Sequence, residues 1–412
     1  MKILIVHQFY LNENDPGGSR FNQFVEHWSN LGHEITVVAG TVNYTTGKAP
    51  AEYKGKLFVK EKPKKNVTVI RTHVSESYNK SFIGRLWGYF SFNFSSTLAM
   101  FRIKSPDVIL VSSPPLFVGL TGIFAKYFFR KPLIFEIRDL WPESAIDTGV
   151  LKSKLIIKLS YLIEKKCYES ANLINVLTPA FKDKLISNKN VEPGKIIYIP
   201  NGADLDIFNV ENRDYSLKEK LGLKDKFIIT YTGAHGLANN LKYLLQIAQK
   251  IEKIDEEIHF LLIGAGMLKN ELIDFKNKNN INNVSFIDAQ PKKDIPKYIN
   301  VSDVCLALLK KNDTFKTVYP NKMFDYMSCK KPILIGIDGI ARKVVEDDSK
   351  SGVYLDQENI TKAIDTIIRL KNENDSLTQM GENGYNYVIK NFERKSLSDK
   401  YLNYLLKLSN KE

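Results

Sequence analysis

Lys322 and Asp325 are the side chains whose types and spacing point most directly to chemistry. They sit in Pro320-Asn321-Lys322-Met323-Phe324-Asp325-Tyr326-Met327, just ahead of the apolar run Pro332–Gly336. The segment reads as a helix start, and residues three apart share one helix face. A helix start offers unpaired N–H groups and the positive end of the macrodipole. Lys322 could therefore meet a phosphate while Asp325 accepts hydrogen bonds from a sugar diol, a pairing that suits a nucleotide-sugar. A plain charged helix face beside a buried strand would look the same, so other segments must decide.

Three further segments carry similar chemistry. Asp15-Pro16-Gly17-Gly18-Ser19-Arg20 follows a first apolar strand and His7, and its two glycines would let backbone approach a diphosphate. Its spacing matches neither the dinucleotide fingerprint nor the P-loop. Phe135-Glu136-Ile137-Arg138-Asp139-Leu140-Trp141-Pro142-Glu143-Ser144 puts four charges into eight residues at a strand end. Charges there are costly unless they pair or bind something; Arg138 and Asp139 could simply pair with each other. Tyr231-Thr232-Gly233-Ala234-His235-Gly236 mirrors the Gly17-Gly18 loop, and His235 could donate to a phosphate or cap a helix. A weaker glycine turn is Gly264-Ala265-Gly266. His7 and His33 lack metal-like spacing, and no metal site is expected.

The elements that must position these loops alternate. Short apolar strands are expected at Ile3–Val6, Glu34–Ala39, Val67–Arg71, Val108–Ser112, Leu133–Ile137, Leu173–Val176 and Lys195–Ile199. A second series reads Phe227–Thr232, His259–Ile263, Val284–Ile287, Val304–Leu308, Pro332–Gly336 and Gly352–Tyr354. Amphipathic stretches such as Phe21–Leu31, Leu155–Ser170, Leu241–Ile251 and Ile360–Lys371 lie between them. This alternation predicts an α/β chain of two doubly wound, Rossmann-like domains facing a cleft. The expected divisions are 1–200, 201–383 across the turn cluster Pro200-Asn201-Gly202-Ala203-Asp204, and a helical segment 384–412 that packs back on the first domain. Ligands of such sheets bind beyond the carboxyl ends of strands, where the loops above fall.

Composition narrows the class. With 412 residues and 43% hydrophobic residues, the chain can build full-sized cores. Three dispersed cysteines suggest a reducing compartment and no disulfide framework. The net charge of +13 admits nucleic acid, an anionic membrane surface or phosphorylated small molecules as partners. The basic residues are scattered apart from a cluster over Lys54–Lys65. The aromatic stretch Phe82–Phe101 is too interrupted to span a bilayer. With the lysine cluster it could lie on a membrane surface, or be an ordinary loop and a buried helix.

In order along the chain, Pro16-Gly17-Gly18-Ser19-Arg20-Phe21, Ser113-Pro114-Pro115-Leu116, Phe135–Ser144, Ile199-Pro200-Asn201-Gly202-Ala203-Asp204 and Pro320–Met327 form a set. That set resembles the retaining glycosyltransferases of the GT-B fold, glycosyltransferase family 4, in its WbuB-like, N-acetylfucosaminyltransferase-like surface-polysaccharide subgroup. The resemblance implies transfer of a sugar, of the N-acetylated amino sugar type, from a UDP-sugar to a lipid-linked saccharide in bacterial O-antigen or capsule synthesis. It implies a cytoplasmic protein, peripheral on the inner membrane face, without a bound metal and without nucleic acid. By analogy Gly17, Gly18, Ser19 and Arg20 lie on one side of the donor and Gly233, His235 and Gly236 on the other. Lys322 would neutralise phosphate, Asp325 would hold the ribose, and Thr317 and Asn321 would line the same site. Arg138, Asp139 and Glu143 are the acceptor-side catalytic candidates.

Three departures from the family stand out, one being Arg138 where many members carry a His in the first domain. Many members carry Glu-x7-Glu, whose positions here are Thr317 and Asp325. Many also carry Arg and Lys after the first strand of the second domain, where this chain has Ala234-His235 and Asn239-Asn240. Phosphate binding then falls on Lys322, with Arg20 or His235 as helpers. The alternatives are a UDP-sugar 2-epimerase on the same fold, or a basic nucleic-acid binder without enzymatic activity.

Overall fold

The computed structural model describes residues 1–12, 20–43, 47–79, 82–147, 149–209 and 215–410. The chain divides into two compact units, Met1–Pro200 with Lys395–Glu412, and Asn201–Arg394. Both are parallel-sheet α/β domains.

In the first unit the strands are β1 (Lys2–Val6), β2 (Glu34–Gly40), β3 (Phe58–Lys64), β4 (Val67–Thr72), β5 (Val108–Ser113), β6 (Leu133–Ile137), β7 (Leu173–Val176) and β8 (Ile196–Tyr198). They lie in the order β3-β4-β2-β1-β5-β6-β7-β8. Its helices are α1 (Arg20–Asn30), α2 (Phe82–Ala99), α3 (Val118–Phe129), α4 (Glu143–Asp147), α5 (Lys154–Ser170) and α6 (Pro179–Lys189). Central strands such as Ile3–Val6 and Val108–Val111 are buried on both faces, which is why they read as unbroken apolar runs rather than alternating ones. Local chemistry sets the helix ends. Thr178 accepts from Phe181 N–H ahead of Pro179, and Asn190 closes α6 in the left-handed region at φ 53°.

In the second unit follow α7 (Tyr215–Lys220), β9 (Phe227–Thr232), α8 (Leu241–Ile251), β10 (Ile258–Ile263), α9 (Lys269–Lys278), β11 (Val284–Ile287), α10 (Ile295–Asn300) and β12 (Val304–Leu308). Then come α11 (Asn321–Ser328), β13 (Ile333–Gly336), α12 (Ile340–Arg342), β14 (Gly352–Tyr354), α13 (Ile360–Asn372) and α14 (Asn374–Phe392). The sheet order is β11-β10-β9-β12-β13-β14, all parallel. The last helix, α15 (Arg394–Ser409), belongs from Lys395 onward to the first unit. Its Tyr401 packs edge-on to Phe24 and Trp28 of α1.

Three expectations need correction. The chain returns to the first unit at Lys395 rather than near 384, because α14 packs on α11 and β13 through Val388 and Phe392. The Lys54–Lys65 cluster is largely a strand: β3 pairs antiparallel with β4, with a register shift between Glu61 and Lys64. Its Lys60, Lys62, Pro63 and Lys64 suit a sheet edge, where charge and proline prevent pairing with another chain. Finally, α2 is not a buried helix: Phe92 faces the core, but Trp87, Phe90 and Phe94 are exposed.

Candidate functional site

The second sheet changes direction between β9 and β12, the position where open α/β sheets bind ligands. The loop after β9 and the helix after β12 meet there. β9 ends at Thr232, and Gly233 follows with φ +133°. A Cβ on Gly233 would lie 2.9 Å from Lys322 Nζ, so any larger residue would collide with the ammonium. The next glycine loop closes around the first. His235 N–H donates to Ala265 O at 2.9 Å, and Leu268 N–H to His235 O at 3.0 Å. Gly264 is obligatory in this knot, since its Cβ would sit 1.9 Å from Gly233 O.

Helix α11 brings Lys322 and Asp325. Its inner face carries Met323, Phe324, Tyr326 and Met327 into the core, and that anchoring aims the other two side chains. Tyr326 Oη accepts from Thr232 N–H at 3.0 Å, locking α11 onto the end of β9. Lys322 Nζ rests 3.5 Å above the centroid of the Tyr231 ring. It is buried and has no hydrogen-bond partner among the described residues. A desolvated cation–π contact returns about 2 kcal/mol, whereas burying an ion costs several kcal/mol. The site is therefore short of an anion. Burial drives the Lys322 pKa down to about 7, against the opposing pull of Asp325.

Asp325 is pushed up to about 6 by burial, with Lys292 and Arg394 opposing that shift. Lys292 Nζ lies 2.5 Å from Asp204 Oδ2, and Arg394 Nη1 3.6 Å from the same oxygen. Arg394 also donates to Asn201 O at 3.2 Å and Gly202 O at 2.6 Å. Asn201 Nδ2 in turn donates to Asn321 Oδ1 at 2.5 Å, at the first residue of α11. Sequence reasoning took Asn201–Asp204 as a boundary and did not assign Lys292 or Arg394 to the site. Only the fold brings these residues beside Asp325. The available signal was the run Asn201-Gly202-Ala203-Asp204, with two polar side chains in a segment that had to turn.

The remaining second-unit candidates take quieter places. His235 is fully buried with neither ring nitrogen bonded. Burial, then the charges of Lys269 and Lys322, lowers its pKa to about 4, so it is neutral at pH 7 and caps no helix. Gly236 precedes a short 3-10 turn, Leu237–Asn239, and α8 starts only after Asn240 in the left-handed region. Thr317 is buried in the turn Phe315–Thr317, where its hydroxyl donates to Thr314 O at 2.6 Å.

In the first unit the order reverses between β1 and β5. Arg138, just after β6, places Nη1 3.3 Å from Nε2 of the buried His7. A guanidinium only donates, so Nε2 is the acceptor. Burial, then the Arg138 charge, holds His7 neutral. Asp139 accepts from Ser144 Oγ at 2.6 Å, while burial raises its pKa. Glu143 pairs with Lys189, which also meets Glu164 at 2.8 Å; this ties α4 to α5 and α6.

Arg20 is displaced from the phosphate role. It is 3% exposed and pairs with Glu136, itself 0% exposed, at 3.0 Å. It also donates to Ile199 O at 2.8 Å. Ser112 and Asn175 complete the Glu136 carboxylate at 3.1 and 2.9 Å. Gly17, Gly18 and Ser19 lie outside the described residues.

Comparison with known proteins bears on the two domains and their fold. Residues 17–202 match the glycosyl transferase 4-like domain, and residues 215–387 match glycosyl transferases group 1. The chain belongs to the GT-B glycosyltransferases. It is 24% identical over 235 residues to a "probable glycosyltransferase WbjE" of Pseudomonas aeruginosa, covering 57% of this chain and 58% of that protein. An Escherichia coli UDP-Gal:alpha-D-GlcNAc-diphosphoundecaprenol alpha-1,3-galactosyltransferase is 31% identical over 156 residues, or 37% and 39% of the two chains. The matched stretches thus span between about two-fifths and three-fifths of these relatives. Anabaena HepE, solved with UDP and glucose, shares the fold at TM-score 0.72 over 99% of this chain and 100% of that one, with 14% identity.

Proposed function

We propose that the protein is a retaining glycosyltransferase of bacterial surface-polysaccharide synthesis. It transfers a sugar, of the N-acetylated amino sugar type, from a UDP-sugar to a lipid-linked saccharide, working peripherally at the cytoplasmic membrane face. One observation carries this reading. Lys322 Nζ is buried, unpaired, stacked on Tyr231 and pressed against Gly233, on a helix that also presents Asp325. A diphosphate supplies the missing anion, and a ribose diol suits Asp325. The names of the relatives support the donor and acceptor classes: one acts on a diphosphoundecaprenol-linked sugar, and HepE was solved with UDP.

The bond from the sugar's anomeric carbon to the diphosphate breaks, and a bond to the acceptor oxygen forms on the same face. The leaving phosphate oxygen takes the acceptor's proton. Charge grows on the diphosphate as this happens, and Lys322 with the first N–H groups of α11 is placed to stabilise it. The reading assigns that role to protein groups, so EDTA should leave turnover unchanged. Arg138, Asp139 and Glu143 are the acceptor-side groups, the last of them paired with Lys189.

The test is calorimetric titration with UDP, GDP, ADP and several UDP-sugars, followed by assay of the tightest donor with and without an undecaprenyl-diphosphate saccharide. Selective uridine binding and acceptor-dependent release of UDP are expected. Conversion of the donor without acceptor would instead identify the 2-epimerase. No nucleotide binding would overturn the reading.

A further inference from the structure

Helix α2 is built inside out. Its inward side carries one aromatic, Phe92, and otherwise small residues, Gly84, Gly88, Ser95 and Ser96, all buried. Ser96 Oγ lies 2.8 Å from Thr121 Oγ1 of α3, and Asn93 Nδ2 donates to Thr121 Oγ1 and Phe117 O at 2.9 Å each. Its outward side carries Ile83, Trp87, Phe90 and Phe94, which are 77%, 56%, 52% and 60% exposed. Their spacing of four, three and four residues makes one stripe. A helix meeting water does the reverse, burying its aromatics and exposing its hydroxyls. Small and hydroxylated residues between helices, with large apolar ones outside, is the packing of helices in contact with lipid.

The neighbouring helices extend the same face. In α3 the buried side includes Gly119 and Gly122, whose Cβ atoms would lie 2.3 Å from Cys167 Sγ and 2.6 Å from Val111 Cγ2. This close contact with Cys167 places α5 beside α3. Tyr127 and Phe128 point outward from α3, and Phe101, just past α2, packs against Phe128 at 5.0 Å between ring centroids. On α5, Leu155, Leu159 and Leu162 are half exposed or more.

The charges around this face are of one sign. Lys154, Lys158, Lys165 and Lys166 are exposed on α5, with Arg102, Lys104 and Arg130 at the ends of α2 and α3. Among the described residues of these three helices, Glu169 is the one exposed carboxylate. Two copies of such a face would repel, whereas an anionic bilayer surface answers both its aromatics and its cations. No helix among the described residues is long and apolar enough to cross a membrane.

We infer that the α2–α3–α5 face of the first unit docks on the surface of an anionic lipid bilayer, lying in the interface rather than spanning it. This deepens the proposed function by naming the surface that meets the membrane. It fails separately from that reading, because donor binding belongs to the second unit.

The experiment is flotation of the full chain with vesicles of phosphatidylcholine alone or mixed with phosphatidylglycerol, with tryptophan emission recorded alongside. The chain should float with the anionic vesicles, and Trp87 should shift emission to the blue, a shift lost in Trp87→Phe. Trp87→Ser with Phe90→Ser and Phe94→Ser should weaken vesicle binding at least about tenfold. Lys158→Glu with Lys165→Glu should remove the preference for anionic lipid. Unchanged melting and unchanged UDP-sugar affinity in both variants confirm that each still folds. Flotation with neither vesicle, or binding unaffected by the aromatic substitutions, overturns the inference. So does a concentration-dependent dimer abolished by those substitutions without flotation, which would assign the face to a second copy.

Discussion

Arg20 and Lys322 are both buried cations in loop-to-helix segments at strand ends, and their sequences suggest similar work. Their surroundings differ. Arg20 has a carboxylate at 3.0 Å, a carbonyl at 2.8 Å and aromatic rings around it. Lys322 has one aromatic face and no hydrogen-bond partner among the described residues. An ion pair with Glu136 and a hydrogen bond to Ile199 O in the first unit hold α1, β6 and the end of β8 together. In the second unit the Lys322 ammonium lies against Tyr231 and Gly233 without a hydrogen-bond partner among the described residues, which is the basis of the proposed phosphate role. Burial alone did not separate the two cations; a carboxylate at ion-pair distance and a carbonyl within hydrogen-bond reach did.

The largest expected effect is on turnover. Lys322→Ala should lower kcat about 10²- to 10³-fold with an unchanged circular dichroism spectrum. The same substitution should stabilise the protein in the absence of ligand. Folding lowers the Lys322 pKa to about 7, so the penalty is absent above the unfolded value of about 10.4, grows as pH falls and is constant below 7. A thermal melt should thus show a higher Tm for Lys322→Ala at pH 6 and a difference that shrinks steadily as pH rises towards 10.

Arg20→Met should behave in the opposite way. It strands the Glu136 carboxylate at a cost of about 3–5 kcal/mol, read by urea denaturation, while donor affinity stays within about twofold because the guanidinium is engaged by Glu136 and Ile199 rather than left for a ligand. Adding Glu136→Met should recover most of that loss. If Arg20→Met instead weakened donor binding and spared stability, the contrast between the two cations would be inverted.

Gly233→Ala tests the opening itself. The backbone at φ +133° strains any side chain by roughly 1–3 kcal/mol, and the new methyl displaces Lys322. Donor Kd should rise while transfer from saturating donor persists. The smallest effect is expected at Asn201→Ala, which removes the bond to Asn321. It should change donor affinity by no more than a fewfold, as for one hydrogen bond of about 1 kcal/mol.

Much of the fold was legible because buried parallel strands are continuous apolar runs. β6, β7, β9, β11, β12 and β14 coincide with the expected segments. β3 was hidden because an edge strand needs little apolar character, and lysines disguised it. In the site, Lys322, Asp325 and Gly233 were visible as residue types in loops after strands. What could not be read was which cation would be consumed internally. Arg20 meets Glu136 across more than a hundred residues of chain, and no local pattern records that pairing. Lys292, Arg394 and Asp204 gather beside Asp325 for the same reason. The stripe on α2 was visible as aromatic content, but its direction depended on Ser96 and Asn93 finding Thr121.

The central claim is that Lys322 is the cation waiting for the donor's diphosphate. It is tested most directly by calorimetric titration of a UDP-sugar across pH, in buffers of differing ionisation enthalpy. A nucleotide-sugar diphosphate does not itself titrate near neutrality, so the linkage reports the protein. With Lys322 near 7 when free and raised by the bound anion, affinity should be flat just below pH 7. Above it, affinity should fall about tenfold per pH unit with one proton taken up on binding, and Lys322→Ala should abolish that slope. Binding without proton uptake, or the same slope in Lys322→Ala, would contradict the account.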